Sequence, residues 1–158
     1  MGIHVGRFAA RMEGSFVVFI IGMRVNRWFA IHKWLPVMQA MPRMMKELYQ
    51  DKEHGFLHAE YFMGRNGPML VQYWRSFDHL EQYAKKGFHK ETWRKFHQTG
   101  KGGKVGIFHE TYRIEPGQYE AVYNHMPAFG LGKAGQLIPA DGVYHGARQR
   151  MSQPGEKK

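Results

Sequence analysis

The sequence predicts an α+β domain with the element order βαββαβ, and three observations carry this prediction. Residues 16–21 form an unbroken run of aromatic and β-branched side chains, which is typical of a strand covered on both faces. Asn66-Gly67 marks a tight hairpin between two alternating segments. Helical periodicity in residues 27–50, and again in 77–86, separates the strands. This order is that of a ferredoxin-like subunit, in which helices cover one face of an antiparallel sheet.

The first strand is expected over residues 15–25, and the helical segment after it contains two prolines. Apolar residues recur there every three to four positions, at Leu35, Met38, Met41, Met45 and Leu48. Pro36 and Pro42 each remove a backbone donor, so the pattern predicts at least two helical pieces rather than one helix.

The later elements complete the βαββαβ order. The sequence predicts two hairpin strands at residues 54–63 and 69–75. It then predicts a helix at 77–86, a shorter helix at 89–98 and two further strands at 104–114 and 119–124. Ser76 is placed to cap the first of these helices, with Asp78 in its first turn. Trp93 and Phe96 of the shorter helix are expected to pack inward.

Three regions are expected along the chain. Residues 1–14 are interpreted as an N-terminal arm, residues 15–125 as the ferredoxin-like domain and residues 126–158 as a Gly/Pro-rich wrap and tail. The predicted helices are enough to cover one face of the sheet, whereas the first strand has apolar side chains on both faces. We therefore expect a homodimer in which two sheets close a dimeric α+β barrel.

Composition limits the chemistry. The 158 residues are 43% hydrophobic and include no cysteine, which removes disulfides, thiolate nucleophiles and iron–sulfur clusters together. The apolar run at residues 16–23 is shorter than the roughly 18 residues of a membrane span and has no small-residue cleavage pattern after it. The sequence therefore predicts a cytoplasmic protein without a membrane span.

The net charge of +10 raises the question of nucleic acid. The basic residues are spread along the whole chain, and no zinc-finger, basic-zipper or RNA-recognition signature is present. We do not expect a nucleic-acid partner. A field that attracts an anionic substrate explains the charge as well.

Residues 130–135 have the spacing G-x-G-x-x-G of dinucleotide binding, with Lys133 inside the motif. Pro127 separates the motif from the strand before it, and Pro139 interrupts the segment in which a helix should follow. The string is therefore interpreted as part of the C-terminal wrap.

The ten histidines raise the question of a metal site, and their spacing shows whether two of them can bind the same ion. His54 and His58 would lie about 13 Å apart on a strand, and His89 and His97 about 12 Å apart on a helix, too far to share an ion. No metal site is predicted from these pairs. A single histidine remains sufficient as an axial ligand of haem, which needs one protein ligand and an apolar slot.

Two groups of side chains have both a structural and a functional interpretation. Glu60, Glu110 and Glu120 fall in or beside strands, where they serve either as ion-pair partners of arginines or as a base or anion clamp. The arginines available are Arg24, Arg75 and Arg113. Four methionines at positions 38, 41, 44 and 45 form either core or the adaptable wall of a ligand cavity.

The string VGIFHETYRI at residues 105–114 places polar groups on both faces of one strand. His109 shares a face with Val105 and Ile107, whereas Glu110 and Tyr112 share the opposite face. So many polar groups in a strand indicate a nearby site, although a histidine satisfied by a carboxylate or a carbonyl is the structural alternative.

Several strings together resemble a known family. They are VVFIIGMRVN at 17–26, WLP at 34–36, AMPRM at 40–44, VQYWRSF at 71–77, HETY at 109–112, YEAVYNHMP at 119–127 and FGLG at 129–132. Over residues 8–139 the chain resembles an uncharacterised-domain family of monooxygenase-like dimeric α+β barrel proteins, related to the antibiotic-biosynthesis monooxygenases.

The resemblance implies a small-molecule oxidative enzyme that acts on a bulky apolar or aromatic substrate in a cavity. One branch of the wider fold needs no cofactor, while aldoxime dehydratases, chlorite dismutases and dye-decolourising peroxidases hold haem on a histidine, so the cofactor is none or haem. A noncatalytic haem or small-ligand carrier is the alternative, and a basic nucleic-acid-binding protein is the third.

The site candidates that follow are of two kinds. The catalytic candidates are His109, as a base or haem ligand, together with Glu110 and Tyr112. The candidates for lining the substrate cavity are Arg24, Asn26, Tyr73, Trp74, Arg75, Tyr123 and Asn124.

Overall fold

The computed structural model describes residues 2–50, 52–85, 94, 96 and 102–152. The strands are β1 (His4–Arg11), β2 (Phe16–Val25), β3 (Phe56–Gly64), β4 (Gly67–Trp74), β5 (Val105–Ile114), β6 (Val122–Met126) and β7 (Gln136–Pro139). The α-helices are α1 (Ile31–Gln50), α2 (Phe77–Lys85), α3 (Leu131–Ala134) and α4 (Ala147–Met151), and the 3₁₀ turns are Lys52–His54 and Gly142–Tyr144.

Four antiparallel strands form the main sheet in the order β3-β4-β2-β5. With α1 between β2 and β3, and α2 between β4 and β5, this is the predicted ferredoxin-like arrangement. The face of the main sheet that carries α1 and α2 is called the helix face, and the other the open face. Val17, Phe56 and Trp74 on the helix face pack with Leu80 and Tyr83 of α2 in one core cluster.

The central strand β2 is apolar on both faces, as predicted. Phe16 and Val17 are each 2% exposed although they point to opposite faces. Val17 belongs to the core under the helices, whereas Phe16 belongs to a second core with Ala10, Tyr123 and Leu131. Both faces of the main sheet are therefore covered at this end.

Helix α1 is continuous, so the predicted break at Pro36 and Pro42 is wrong. Both prolines lie on the exposed side of the helix, where water can reach the backbone groups that they leave unpaired. The buried side, with Ala40, Met41 and Leu48, packs toward the sheet and stabilises the helix.

Within the described residues, no helix has the length and the apolar character needed to cross a membrane.

The hairpin signal is confirmed. β3 and β4 pair from Phe56↔Trp74 to Gly64↔Gly67, which leaves Arg65 and Asn66 as a two-residue loop. Gly67 has φ 141°, and a Cβ there would lie 2.3 Å from the carbonyl oxygen of Met23. Only glycine satisfies both the backbone angle and the close approach of β2.

The capped helix is also confirmed, because the backbone N–H of His79 donates to Ser76 Oγ at 3.3 Å at the start of α2. The second short helix, predicted at 89–98, lies outside the described residues except for residues 94 and 96. Phe96 packs inward, as predicted, against the core cluster of Met23, Val25 and Val105, while Trp93 is outside the described residues.

A small second sheet has the order β6-β1-β7. The N-terminal segment was expected to be an arm, yet His4–Arg11 is the central strand of this sheet, so that interpretation is wrong. Its partners come from residues more than 100 positions later, with Phe8 opposite both Tyr123 and Pro139. The predicted wrap likewise contains α3, β7 and α4, and the last predicted strand ends at Met126 rather than at residue 124.

Candidate functional site

A cavity of about 310 Å³ lies between the helix face of the main sheet and the two long helices. Strands β2, β4 and β5 form its floor with Phe19, Ile21, Leu70, Gln72, His109 and Thr111. Helices α1 and α2 form its roof. Its volume is at the lower end of the range of about 300–1,000 Å³ found for pockets that bind organic ligands.

The roof is rich in methionine. Met41, Met44 and Met45 line the cavity from α1, and Leu48 follows one turn later. Unbranched thioether side chains adapt their shape to a ligand more readily than branched ones do. Three of the four α1 methionines therefore line the cavity, whereas Met38 packs against the Met23 cluster. Met41 is also part of the buried core, so the two interpretations given by the sequence do not exclude each other.

Helix α2 adds Phe77, Leu80 and Tyr83 to the roof. Burial, and then the negative charge of Glu47, raises the pKa of Tyr83 far above its ordinary value. The hydroxyl therefore stays protonated throughout the physiological pH range and the roof remains uncharged at this point.

His109 is on the helix face of β5, with its ring 5.6 Å from that of Phe19. Its side chain is solvent-exposed at the edge of the cavity, next to Thr111. His109 therefore lies where the cavity meets solvent.

The other two catalytic candidates are on the opposite face of the sheet. Tyr112 Oη donates to Glu110 Oε2 at 2.5 Å, and this bond and the Glu110 charge raise the pKa of Tyr112. Glu110 pairs with Ile20 and Tyr112 with Val18, both on the open face of β2. His109 therefore cannot share one ligand with Glu110 and Tyr112 inside the same subunit, because the sheet lies between them.

The seven residues predicted to line the cavity are dispersed. Arg24 is exposed near the end of β2 and Asn26 is exposed just after it, and Arg24 Nε donates to Asn26 Oδ1 at 3.1 Å. Arg75 is exposed just after β4, and Asn124 is exposed on β6. None of these four lines the cavity described above.

Trp74 lies beneath the cavity floor rather than in its lining. Its side chain is fully buried, and its indole N–H donates to Gln72 Oε1 at 2.9 Å. Gln72 itself lines the cavity, so Trp74 contributes to the cavity only by positioning the Gln72 side chain through this hydrogen bond.

Tyr73 and Tyr123 belong to a second cluster, on the open face, which we call the glycine turn cluster. Two backbone N–H groups of the turn at residues 130–132 donate to side-chain oxygens, Gly130 N to Glu60 Oε1 at 2.9 Å and Gly132 N to Tyr123 Oη at 3.0 Å. The Tyr73 hydroxyl lies against the backbone of the same turn at Gly130. The N–H groups that a nucleotide phosphate would need are thus used by the protein itself.

Glu60 is the anionic centre of this cluster, with 15% of its side chain exposed. His58 Nε2 and Lys133 Nζ also lie 3.0 Å from its Oε1. Burial raises the pKa of Glu60, but the hydrogen bonds from Gly130, His58 and Lys133 together lower it below its ordinary value. The expected arginine partners of Glu60 are therefore replaced by a lysine, a histidine and a backbone amide.

Glycine is required in this turn. Gly130 has φ 52°, and a Cβ there would lie 2.9 Å from Tyr73 Oη. Burial and the charges of Tyr123 and Glu60 raise the pKa of Tyr73, and burial likewise raises that of Tyr123. Both phenols remain neutral, and the hydrogen bonds of the cluster attach the C-terminal segment to the open face of the main sheet.

Haem fits the cavity poorly. His109 is the lining residue that would serve as an axial ligand, but a cavity of 310 Å³ suits a smaller organic molecule than a porphyrin. The described lining residues include no Lys or Arg to pair with the propionate groups. Nor do the described residues bring three or more His, Asp or Glu side chains together as a metal site.

The fold places this chain among ferredoxin-like α+β proteins, with a cavity between the sheet and its helices. Residues 16–131 match the family described as Monooxygenase af470-like, and the chain belongs to that family. Monooxygenase af470 of Aspergillus fumigatus is 28% identical over 131 residues, which is 77% of this chain. The chain spans 46% of the length of that relative.

Solved structures share the fold. A crystal structure of aldoxime dehydratase with butyraldoxime is similar with a TM-score of 0.62 at 17% identity, over 93% of this chain and 43% of the dehydratase. A Bacteroides thetaiotaomicron protein of unknown function, described as a possible oxidoreductase, is similar with a TM-score of 0.50 at 12% identity. The match covers 65% of this chain and 100% of that protein.

A second pocket of about 300 Å³ lies beside the small sheet and α4. It is lined mainly by residues 9–14 and by C-terminal residues such as Tyr144 and Arg150. Most of this lining is outside the segment that matches the family. The cavity under the helices, by contrast, lies wholly within that segment.

Gln72 and Thr111 line the cavity but were not among the sequence candidates. A signal for Gln72 was present, because it alternates with the apolar Leu70 and Trp74 at the inward positions of β4. A polar residue at such a position indicates a partner or a ligand.

Proposed function

We propose that this chain is an oxygenase subunit that binds a bulky apolar or aromatic molecule in the cavity under α1 and α2. The observation that carries the proposal is the cavity itself, in which a methionine roof faces a floor with His109 at its edge. Membership of the Monooxygenase af470-like family supports an oxidative reaction. The substrate class follows from the apolar lining.

His109 acts as the general base in this proposal. An oxygenase without a cofactor draws electrons from its substrate, so the first requirement is to remove a proton from a carbon next to an activating group. The C–H bond breaks, the proton passes to the imidazole and the electron pair remains on the substrate. Molecular oxygen then accepts electrons from this anion, and a CH₂ group and O₂ yield a carbonyl and water.

The active protein is proposed to be a homodimer that joins open faces. Apolar side chains remain on the part of that face that the small sheet leaves uncovered, including Phe108 at 43% exposure and Tyr112 at 47%. Exposed aromatic side chains on a sheet favour a second copy as the partner.

We also propose that the protein acts in the cytoplasm, where a chain without cysteine loses no stabilising crosslink.

Two measurements test the proposed function. Oxygen uptake with anthrone as the first probe should rise above the uncatalysed rate, and anthraquinone should form with one water per O₂ consumed. The absorbance spectrum of the purified protein should lack a Soret band, since the cavity suits a smaller molecule than haem. A Soret band that disappears in His109→Ala would instead support a haem protein, and tight binding of aromatic ligands without any turnover would support a carrier.

A further inference from the structure

Gln72 is the polar residue that the structure buries in the core of the described part of the chain, with 6% of its surface exposed. It lies on β4 in the floor of the cavity, surrounded by Phe19, Leu70 and the roof. A buried amide in an apolar setting is costly unless its donors and acceptor are all used. The question is therefore what each end of this amide binds.

The orientation of the amide is fixed by chemistry. The Trp74 indole nitrogen can only donate, so the atom that it contacts at 2.9 Å must be the Gln72 oxygen and not the nitrogen. Trp74 itself cannot move, because it is fully buried between the rings of Phe56 and Tyr83, at 5.4 Å and 5.6 Å. The NH₂ group of Gln72 is thereby held as a donor in the cavity floor.

The register of the sheet places Gln72 and His109 at opposite sides of the floor. Gln72 is opposite Phe19, and Phe19 is opposite Thr111, while His109 is two residues further along β5. With about 4.8 Å between strands and 3.4 Å per residue, the Cα atoms of Gln72 and His109 are roughly 12 Å apart. The ring of Phe19 lies between them and against His109. A fused aromatic system stacked on Phe19 would span this distance.

We propose that the Gln72 amide is a specificity-determining donor that binds a carbonyl or phenolate oxygen of an aromatic ketone or phenol substrate. This inference rests on the proposed function and names its substrate class. When His109 takes the proton, the electron pair moves onto the carbonyl oxygen to give an enolate. A pre-oriented N–H donor binds that oxygen more strongly as its negative charge develops.

A matched pair of ligands tests the proposal on the unmodified protein. 1-Tetralone and tetralin have the same fused-ring skeleton, but tetralone alone has an acceptor oxygen. Calorimetric titration should give about 3- to 10-fold tighter binding of tetralone, the range expected for one net hydrogen bond. In ¹⁵N-edited spectra, the side-chain NH₂ resonances of Gln72 should shift with tetralone and not with tetralin.

Variants sharpen the result. Gln72→Met keeps the length of the side chain but removes the donor, so the tetralone preference should fall to near one while tetralin affinity changes little. Trp74→Phe should reduce the preference as well, because the amide is then free to rotate. Gln136→Met is the matched control, since Gln136 is exposed on β7 away from the cavity. Circular dichroism melts report whether each variant is folded.

The outcomes separate the two proposals. Equal affinity for tetralone and tetralin in the unmodified protein, without NH₂ shifts, would overturn the role of Gln72 and leave the cavity as the site. If neither ligand binds, the proposed function fails, and the substrate class fails with it. A preference that survives in a folded Gln72→Met protein would assign the donor to another residue.

Discussion

The two faces of the main sheet use polar side chains in different ways. On the open face, Glu60 and Tyr123 accept hydrogen bonds from the glycine turn and Tyr73 lies against it, and these contacts fix the C-terminal segment. On the helix face, Gln72 and His109 line a cavity of ligand size. Because side chains alternate along a strand, Gln72 and Tyr73 are neighbours in the chain and yet belong to different faces. One strand thus supplies both a structural lock and a candidate binding group.

The comparison predicts that substitutions on the two faces separate activity from stability. Changes at the cavity should lower turnover and leave the fold intact. Changes in the glycine turn cluster should lower stability and leave turnover per folded molecule intact. Of the four predictions below, those at His109 and Glu60 test this separation and the one at Phe108 tests the uncovered part of the open face; they run from the largest expected effect to the smallest.

The largest effect is expected from His109→Gln. Removing the general base should lower the rate of oxygen uptake with anthrone by about 100-fold or more, whereas the melting temperature should change little because the side chain is exposed. His32→Gln is the matched control, an exposed histidine at the start of α1. Unchanged turnover in a folded His109→Gln protein would remove this residue from the mechanism.

Phe108→Asp tests the uncovered part of the open face. A Cβ built on Gly22 would lie 2.5 Å from the Phe108 ring, so this ring lies over the glycine opposite it on β2, and 43% of the residue remains exposed. Loss of a central aromatic residue should weaken the dimer by about 30-fold or more. Sedimentation should detect the change, and Phe29→Asp, at an equally apolar but fully exposed loop position, should have none. A dimer of unchanged strength would place the interface elsewhere.

Glu60→Gln tests the glycine turn cluster. The amide can still accept from Gly130, but His58 and Lys133 lose the carboxylate charge that they contact at 3.0 Å. Removing the anionic partner should lower the free energy of unfolding by about 1–3 kcal/mol in urea titrations. Glu115→Gln, at an exposed position, should change it by less than about 0.5 kcal/mol. Loss of turnover in the folded Glu60→Gln protein would contradict the separation of the two faces.

Local signals predicted the parts of the fold that depend on neighbouring residues. The Asn66-Gly67 hairpin, the Ser76 cap and the βαββαβ order are all confirmed. The small sheet was missed because β1 pairs with strands more than 100 residues away, a contact that leaves no local pattern. The continuity of α1 was missed because proline frequency in the sequence does not reveal that both prolines face solvent.

The candidate site was predicted only in part. The face of His109 followed from the period of strands, whereas the helical period left the α1 methionines open between core and cavity wall. Arg24, Asn26, Arg75 and Asn124 were selected for their chemistry, and the structure leaves them exposed outside the cavity. The prediction for Tyr73 was wrong by one position, because side chains alternate along β4 and it is Gln72 that points to the helix face and lines the cavity. The chemical type of a side chain does not show which of two neighbouring strand residues lines a cavity, whereas the face of the sheet to which each one points does.

The smallest effect concerns the pH dependence that Glu60 adds to stability. Its pKa in the folded protein is lower than the ordinary value of 4.5. A depressed carboxyl pKa stabilises the folded state above the unfolded-state value, and that contribution is lost as the pH falls through the folded value. The contribution of the Glu60 charge to the difference in unfolding free energy between the unmodified protein and Glu60→Gln should therefore be fully present at about pH 6. It should begin to shrink near pH 4.5 and continue to do so at lower pH. Urea titrations of both proteins across this range measure it, and Glu115→Gln shows the background from other carboxyls. A difference that grows as the pH falls below 4.5 would show that the ionised carboxylate does not hold the glycine turn.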